Sequence, residues 1–144
     1  MTKQITVAIA GLGNRGRSVY ASVAKQIPEK MKIVAVADID PEKVELTAKE
    51  YNISPDKCFT SAEELLAQEK LADMIFITTQ DRQHVAHAIP ALRKGYHILL
   101  EKPISPVLSE CKELLKVAKE CDRKVVVCHV LRYTPVYQKV KELL

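Results

Sequence analysis

A cluster of glycines is the first candidate for a functional site, because three of the chain's four glycines fall within six residues. Gly11, Gly13 and Gly16 follow an apolar run directly and open a helical pattern. Their G-x-G-x-x-G spacing suits a dinucleotide pyrophosphate, because it permits a tight turn, close approach of the backbone and close helix packing in that order. We predict that Asn14 and Arg15 at the helix start join this site. A solvent-facing Arg15 is the alternative.

An acidic side chain, Asp38, ends the second apolar run, 22 residues after Gly16. A carboxylate at that place can accept both hydroxyls of an adenosine ribose and repels a 2′-phosphate. No arginine follows it, since the next residues are Ile39 and Asp40, so the sequence favours NAD over NADP as cofactor. Two alternatives stay open: Asp38 only caps the next helix, or the ligand is another adenosine compound such as S-adenosylmethionine.

Polar groups from later segments are expected at the same edge, because ligands of such sheets bind outside the carboxyl ends of the strands. The further candidates for cofactor binding are Thr78, Thr79, Gln80, Glu101, Lys102 and Arg132. A lysine beside a nicotinamide can bind a substrate hydroxyl or carry its proton, which makes Lys102 the catalytic candidate. The alternative is a surface lysine that pairs with Glu101.

Two histidines, His84 and His87, lie three residues apart and therefore on one face of a predicted helix. A metal site would need a third ligand, and none is evident, so no metal is predicted. His84 is closer to the predicted crevice and is a candidate for lining it beside the cofactor. His87 is expected to be half-buried or on the helix surface, and His97 to be structural.

Short β-branched runs alternate with longer helical patterns along the chain. Strands are predicted at 5–10, 32–38, 73–79, 97–100 and 124–130, with a shorter one around Phe59. Helices are predicted at 14–27, 40–51, 82–94, 105–121 and 134–144, with a short one opened by Ser61 and Glu64. The strands are nearly continuous apolar runs, which is typical of strands covered on both faces. We therefore predict an α/β fold, a doubly wound, mostly parallel, Rossmann-like sheet with helices on both faces.

The composition argues against several classes of function. The 144 residues include 22 basic and 18 acidic ones, and the basic residues are scattered, so no nucleic-acid partner is expected. No pair of the four cysteines has C-x-x-C spacing, which argues against zinc or a redox dithiol. No apolar stretch approaches the ~20 residues of a membrane span. With no signal peptide at the start, we expect a cytoplasmic protein.

Several motifs together resemble the N-terminal half of the Gfo/Idh/MocA oxidoreductases, the group of glucose-fructose oxidoreductase and inositol dehydrogenase. The motifs are GLGNRG, ADID, TTQDRQHVAHAIPALRKGYHILLEKPIS and HVLRYTP. Glu-Lys-Pro after an apolar strand is the most specific of them. That family usually has T-P-N-x-x-H before the central helix. Here Thr79 and His84 match the first and last positions, while Gln80 and Asp81 replace the proline and the asparagine.

The resemblance implies a Rossmann domain that binds NAD or NADP, and a second α/β domain that this sequence lacks. It implies hydride transfer between the nicotinamide and a sugar, polyol or related carbinol, with Lys102 beside both. The acid/base histidine of the family lies in the absent domain, so the chain alone is expected to be inactive. We expect residues 1–130 to form the cofactor domain and 131–144 to form a helix that links to the missing one.

Three further expectations complete the sequence-based picture. The full-length form is a possible homo-oligomer. A non-catalytic NAD-binding or sensing module is the alternative function, because such a protein needs the glycine loop and Asp38 but not Lys102. The bond between Lys102 and Pro103 is predicted to be cis, since X-Pro bonds tolerate cis geometry in tight turns.

Overall fold

Six parallel strands form one sheet across residues 4–144, the part of the chain that the computed structural model describes. The strands are β1 (Ile5–Ala10), β2 (Met31–Ala37), β3 (Cys58–Phe59), β4 (Met74–Ile77), β5 (His97–Leu100) and β6 (Val125–Val127). Their spatial order is β3-β2-β1-β4-β5-β6. The predicted doubly wound sheet is confirmed, and its order reverses between β1 and β4, where such sheets form a crevice.

Helices cover both faces of this sheet. Their bounds are a π-helical segment at Asn14–Ala21, α1 (Ser22–Gln26), α2 (Pro41–Tyr51), α3 (Ala62–Ala67), α4 (His84–Arg93), α5 (Leu108–Glu120) and α6 (Pro135–Leu143). Short 3₁₀ turns occupy Pro55–Lys57, Asp81–Gln83 and Val130–Tyr133. The π-helical segment, α1 and α2 pack on one face of the sheet, and α3, α4 and α5 pack on the other. The main contacts of α6 are with the 3₁₀ turn that precedes it.

The central strand β1 shows why the sequence pattern lacks alternation. Val7 and Ile9 join the core under α1 and α2, whereas Ala8 and Ala10 join the core under α3 to α5. All four side chains are fully buried. Because both faces of the strand are covered, apolar residues are needed at every position.

Three of the differences between predicted and observed elements have a local explanation. Residues 14–21 form π-helical instead of α-helical turns, in a segment where Gly16 and the β-branched Val19 lower α-helix propensity. The helix α5 begins three residues later than predicted, because the Ser105 hydroxyl accepts the Val107 N–H at 3.0 Å and holds that connection in a turn. The strand β6 has three residues instead of seven, since the chain soon enters a 3₁₀ turn.

Candidate cofactor site

The glycine loop lies between β1 and the π-helical segment, and its glycines meet different surroundings. Gly11 has φ +95°, and a Cβ there would lie 2.6 Å from the Thr78 carbonyl oxygen. A Cβ at Gly16 would lie 1.9 Å from the Gly11 carbonyl oxygen. A Cβ at Gly13 would meet no described atom within 4 Å, and Gly13 lines an open crevice. Gly11 and Gly16 are therefore required for packing, while Gly13 leaves free space for a ligand.

This crevice has a volume of about 200 Å³ and extends from the glycine loop past the end of β2 to α3. The predicted site residues in its wall are Gly11, Gly13, Asp38, Thr78, Thr79 and Gln80. Residues that the sequence prediction missed also line it, namely Lys43, Glu63, Gln83 and His87. A larger groove of about 740 Å³ lies between α2 and β3 but includes no glycine of the loop. The smaller crevice is therefore where the predicted groups meet.

Asp38 follows β2 directly, and both of its carboxylate oxygens bind backbone N–H groups. Oδ2 accepts from Leu12 at 2.5 Å, and Oδ1 accepts from Asp40 at 2.9 Å. The capping alternative does not describe Asp38, because Asp40 caps α2 by accepting the Glu42 N–H at 3.1 Å. A carboxylate has about four acceptor positions, so the fixed Asp38 side chain keeps acceptor capacity for a ligand in the crevice.

Lys43 places a positive charge in the same wall. Its ammonium lies 3.1 Å from Asp40 Oδ2. The hydrogen bond that Lys43 donates to Asp40 is the largest of the effects that raise the Lys43 pKa, and the charge of Asp38 adds to it. The available sequence signal was the i,i+3 spacing of Asp40 and Lys43, which places the two side chains on one helix face.

His84, which was predicted to line the cofactor crevice, lies in the interior and is not among the residues of the crevice wall. Its side chain is 0% exposed, its Nδ1 lies 2.7 Å from the Pro103 carbonyl oxygen, and its Nε2 lies 3.1 Å from the Thr79 carbonyl oxygen. The start of α4 directs this ring into the protein, where it connects the segment after β4 to the Glu-Lys-Pro turn. His84 therefore contacts the backbone of two segments next to the site and has a structural position.

His87 occupies the place expected for His84. It is 4% exposed and lines the crevice, so the prediction of a half-buried or surface position is wrong. Nδ1 lies 3.0 Å from Thr79 Oγ1, and Nε2 lies 3.0 Å from Glu63 Oε1. The hydrogen bond from His87 is the largest of the effects that lower the Glu63 pKa to about 2.

Glu101 at the end of β5 is directed inward. It is 7% exposed, and its Oε1 accepts the Tyr20 hydroxyl hydrogen and lies 3.7 Å from Arg15 Nε. Its Oε2 accepts the backbone N–H of Lys102 at 3.0 Å. Burial is the main cause that raises the Tyr20 pKa, so the hydroxyl stays protonated as the donor to Glu101, and contacts with Cys128 and Glu101 add to this effect.

Lys102 has the opposite environment. Its side chain is exposed, and no hydrogen bond or ion pair to its ammonium is found among residues 4–144. The alternative of a lysine paired with Glu101 is therefore not what the structure shows. The predicted cis peptide bond between Lys102 and Pro103 is confirmed.

Arg132 and Asn14, two further candidates, are not among the residues that line the crevice. Arg132 lies in the 3₁₀ turn after β6 and lines a separate groove with Tyr137. Asn14 is exposed at the start of the π-helical segment. His97 accepts the Lys124 N–H at 3.1 Å, as expected of a structural residue. The described part of the chain holds no group of three side chains suited to a metal, nor a helix with the length and hydrophobicity to cross a membrane.

Comparison with known proteins supports a nucleotide-binding site at the glycine loop. A sequence model for the Gfo/Idh/MocA group, described as an oxidoreductase family with an NAD-binding Rossmann fold, matches residues 5–129. Oxidoreductase P35 of Formosa agariphila is 32% identical over 144 residues, which are 100% of this chain and 44% of that relative. An oxidoreductase of Bacillus subtilis, YrbE, is 30% identical over 99% of this chain and 40% of its own length. The chain spans less than half the length of these relatives.

Solved structures show the same fold. The scyllo-inositol dehydrogenase of Lactobacillus casei, solved with NAD(H) and scyllo-inositol, has a TM-score of 0.85 at 23% identity over 98% of this chain and 41% of that one. The myo-inositol 2-dehydrogenase of Lactobacillus plantarum has a TM-score of 0.84 at 25% identity, with the same coverage. Fold and crevice together define a dinucleotide-binding Rossmann domain. The chain belongs to the Gfo/Idh/MocA oxidoreductase family, of which it is the NAD-binding domain.

Proposed function

We propose that this chain is the cofactor-binding half of an NAD-dependent dehydrogenase. The observation that carries the proposal is a contrast at the Glu-Lys-Pro turn: the Glu101 carboxylate is buried and hydrogen-bonded, while the Lys102 ammonium is exposed and without a partner among the described residues. A non-catalytic NAD-binding module has no need of a lysine held free at this edge of the sheet. The contrast therefore favours the enzyme over the sensing module.

The proposed cofactor contacts follow the order of groups along the crevice. The pyrophosphate lies against Gly13 and the exposed start of the π-helical segment at Asn14 and Arg15, while Gly11 and Gly16 fix the shape of the loop behind it. The segment Thr78, Thr79 and Gln80 forms the opposite wall. Asp38 accepts the hydroxyls of the adenosine ribose, since its two backbone contacts fix the carboxylate and leave acceptor positions. A 2′-phosphate would place more negative charge against Asp38, while Lys43 is already paired with Asp40. We therefore propose NAD over NADP.

Lys102 is the proposed catalytic residue. The ammonium of Lys102 would donate a hydrogen bond to the oxygen of the reacting carbinol, and a nicotinamide held in the site would supply the hydride acceptor or donor. In oxidation the lysine would pass the hydroxyl proton on to the acid/base histidine that the resemblance implies, and in reduction it would return a proton from that histidine to the carbonyl oxygen. Glu101 assists by accepting the Lys102 N–H, which fixes the backbone from which the lysine projects.

The substrate class and the wider architecture are proposals of the same kind. We propose a sugar, polyol or related carbinol, supported by the scyllo-inositol that the dehydrogenase of Lactobacillus casei holds. Residues 1–130 would form the cofactor domain and 131–144 would lead to a substrate domain, supported by the exposed apolar residues Val136, Val140 and Leu143 on α6. A homo-oligomeric full-length form and a cytoplasmic location remain predictions.

Calorimetric titration of the chain with NAD and NADP tests the cofactor assignment. We expect NAD to bind about 10-fold or more tightly than NADP, since hydrogen bonds to a charged group contribute ~1.5–3 kcal/mol. The Asp38→Asn variant should bind NAD more weakly, and its affinities for NAD and NADP should differ less. Asp56→Asn, which removes an exposed carboxylate outside the crevice, is the control. Equal affinities of the unmodified chain for NAD and NADP would refute the Asp38 assignment.

Turnover in the full-length protein tests the catalytic assignment. With a panel of inositols and sugars, Lys102→Ala should lower kcat by about 10²-fold or more, because a positioned proton-transfer group contributes that much. The affinity for NAD should change little. Lys112→Ala removes an exposed lysine on α5 and should leave the rate unchanged. A normal kcat in Lys102→Ala would make Lys102 an ordinary surface residue.

A further inference from the structure

One carboxylate in the crevice has no part in the cofactor contacts proposed so far. Glu63 on α3 lines the crevice beyond Asp38, and its side chain is 69% exposed. Its Oε1 lies 3.0 Å from Nε2 of the buried His87, whose other nitrogen lies 3.0 Å from Thr79 Oγ1. This chain of contacts holds the position of Glu63 while leaving the carboxylate open to solvent on the crevice side.

The position of Glu63 corresponds to one part of a dinucleotide, if the cofactor proposal above is correct. With the pyrophosphate at the glycine loop and the ribose at Asp38, the nucleobase continues along the crevice away from the phosphates. The lining residues that the contacts above do not use include Ile39, Ala62 and Gln83, together with Glu63. Ile39 is 88% exposed, so it offers an apolar surface on which a flat ring can lie. Glu63 is the negatively charged group of this part of the wall.

We propose that Glu63 recognises the 6-amino group of adenine and so selects adenine over 6-oxopurines. An ionised carboxylate can only accept hydrogen bonds. It therefore binds the amino group of adenine and repels the carbonyl oxygen that hypoxanthine or guanine has at the same position. A carboxylate has about four acceptor positions, and the hydrogen bonds from His87, from Ser61 and from the Glu63 backbone use at most three of them, which leaves one for this contact. His87 and Thr79 act by positioning Glu63.

Titration with two dinucleotides that differ only in this group tests the proposal. NAD and nicotinamide hypoxanthine dinucleotide are titrated calorimetrically at pH 7.5 into the unmodified chain, Glu63→Gln and Glu69→Gln. We expect the unmodified chain to bind NAD about 10-fold more tightly than nicotinamide hypoxanthine dinucleotide. This factor is at the lower end of what a charge-assisted hydrogen bond contributes, because the site is partly exposed. In Glu63→Gln the ratio of the two affinities should fall to about 2-fold or less. An amide can accept from the amino group of adenine and can also donate to the carbonyl oxygen of hypoxanthine.

Glu69→Gln removes an equal charge from an exposed position after α3 that does not line the crevice, and it should keep the full ratio. Equal affinities of the unmodified chain for both dinucleotides would overturn the role of Glu63 while leaving NAD binding intact. A ratio that survives in Glu63→Gln would also overturn it, because another group would then read the base. If neither dinucleotide binds, the cofactor proposal fails and this inference fails with it.

Discussion

Two glycine substitutions separate packing from cofactor binding within one loop. Gly16→Ala would place a Cβ 1.9 Å from the Gly11 carbonyl oxygen and 2.6 Å from Thr78 Oγ1. Backbone on that side cannot yield as a flexible side chain does, so we expect the upper part of the ~1–3 kcal/mol range for overpacking. The greater helix propensity of alanine offsets up to about 1 kcal/mol of this loss in the free energy of unfolding. The net loss of about 2 kcal/mol corresponds to a fall in Tm of roughly 4–8 °C.

Gly13→Ala provides the matched comparison. Its φ is −66°, which alanine adopts without strain, and no described atom lies within 4 Å of the new Cβ. The free energy of unfolding should therefore stay equal or rise by up to about 1 kcal/mol. NAD affinity should nevertheless fall, by about 10-fold or more, because the methyl group enters the space left for the pyrophosphate.

Thermal unfolding without ligand and calorimetric titration with NAD measure both effects in the same samples. The expected outcome is a crossed pattern, with lower Tm in Gly16→Ala and weaker NAD binding at unchanged Tm in Gly13→Ala. If Gly13→Ala binds NAD as well as the unmodified chain, the pyrophosphate does not lie against Gly13. If Gly16→Ala keeps its Tm, the loop can move away from the helix and the packing argument is wrong.

Two further predictions concern carboxylates. Tyr20→Phe removes the hydroxyl donor to the buried Glu101 and should lower the free energy of unfolding by about 1–3 kcal/mol; an unchanged chemical-denaturation midpoint would show that another donor replaces it. Glu63 has a pKa lowered from 4.5 to about 2, so its ionised form stabilises the fold above about pH 4.5. That contribution should be lost as the pH falls towards 2, and the denaturation midpoints of the unmodified chain and Glu63→Gln should converge there.

The sequence predicts best those features that depend on neighbouring residues. The bounds of β1, the proline at the start of α2 and the glycine after α4 all follow from local pattern and conformational preference. Asp38 was also predictable, because a carboxylate that follows a strand of a parallel sheet lies at the ligand edge.

The phase of α4 was not predictable in the same way. His84 and His87 share one helix face at i,i+3 spacing, and the sequence does not say which of them faces the crevice. The orientation depends on two contacts. His84 is hydrogen-bonded to the Pro103 carbonyl oxygen in the interior, and His87 is hydrogen-bonded to Glu63 in the crevice wall. Both partners lie on other elements, so only the packed structure distinguishes the two rings.

The same reasoning explains why Glu-Lys-Pro carries a charged residue directly after a buried strand. Glu101 is buried because Tyr20, 81 residues earlier, donates to it and Arg15 lies beside it. Tyr20 and Arg15 both belong to the π-helical segment that follows the glycine loop. The element that faces the proposed pyrophosphate therefore also contacts the carboxylate that holds the Lys102 backbone.

This arrangement gives Glu101 a positional role that a neutral residue would fill only in part. A glutamine could accept from the Tyr20 hydroxyl or the Lys102 N–H, but it would lose the charge attraction to Arg15. The glutamate joins three segments at one buried point: the π-helical segment, the end of β5 and the turn that carries Lys102. The Lys102 ammonium is exposed, while the carboxylate of its charged neighbour is hydrogen-bonded within the protein.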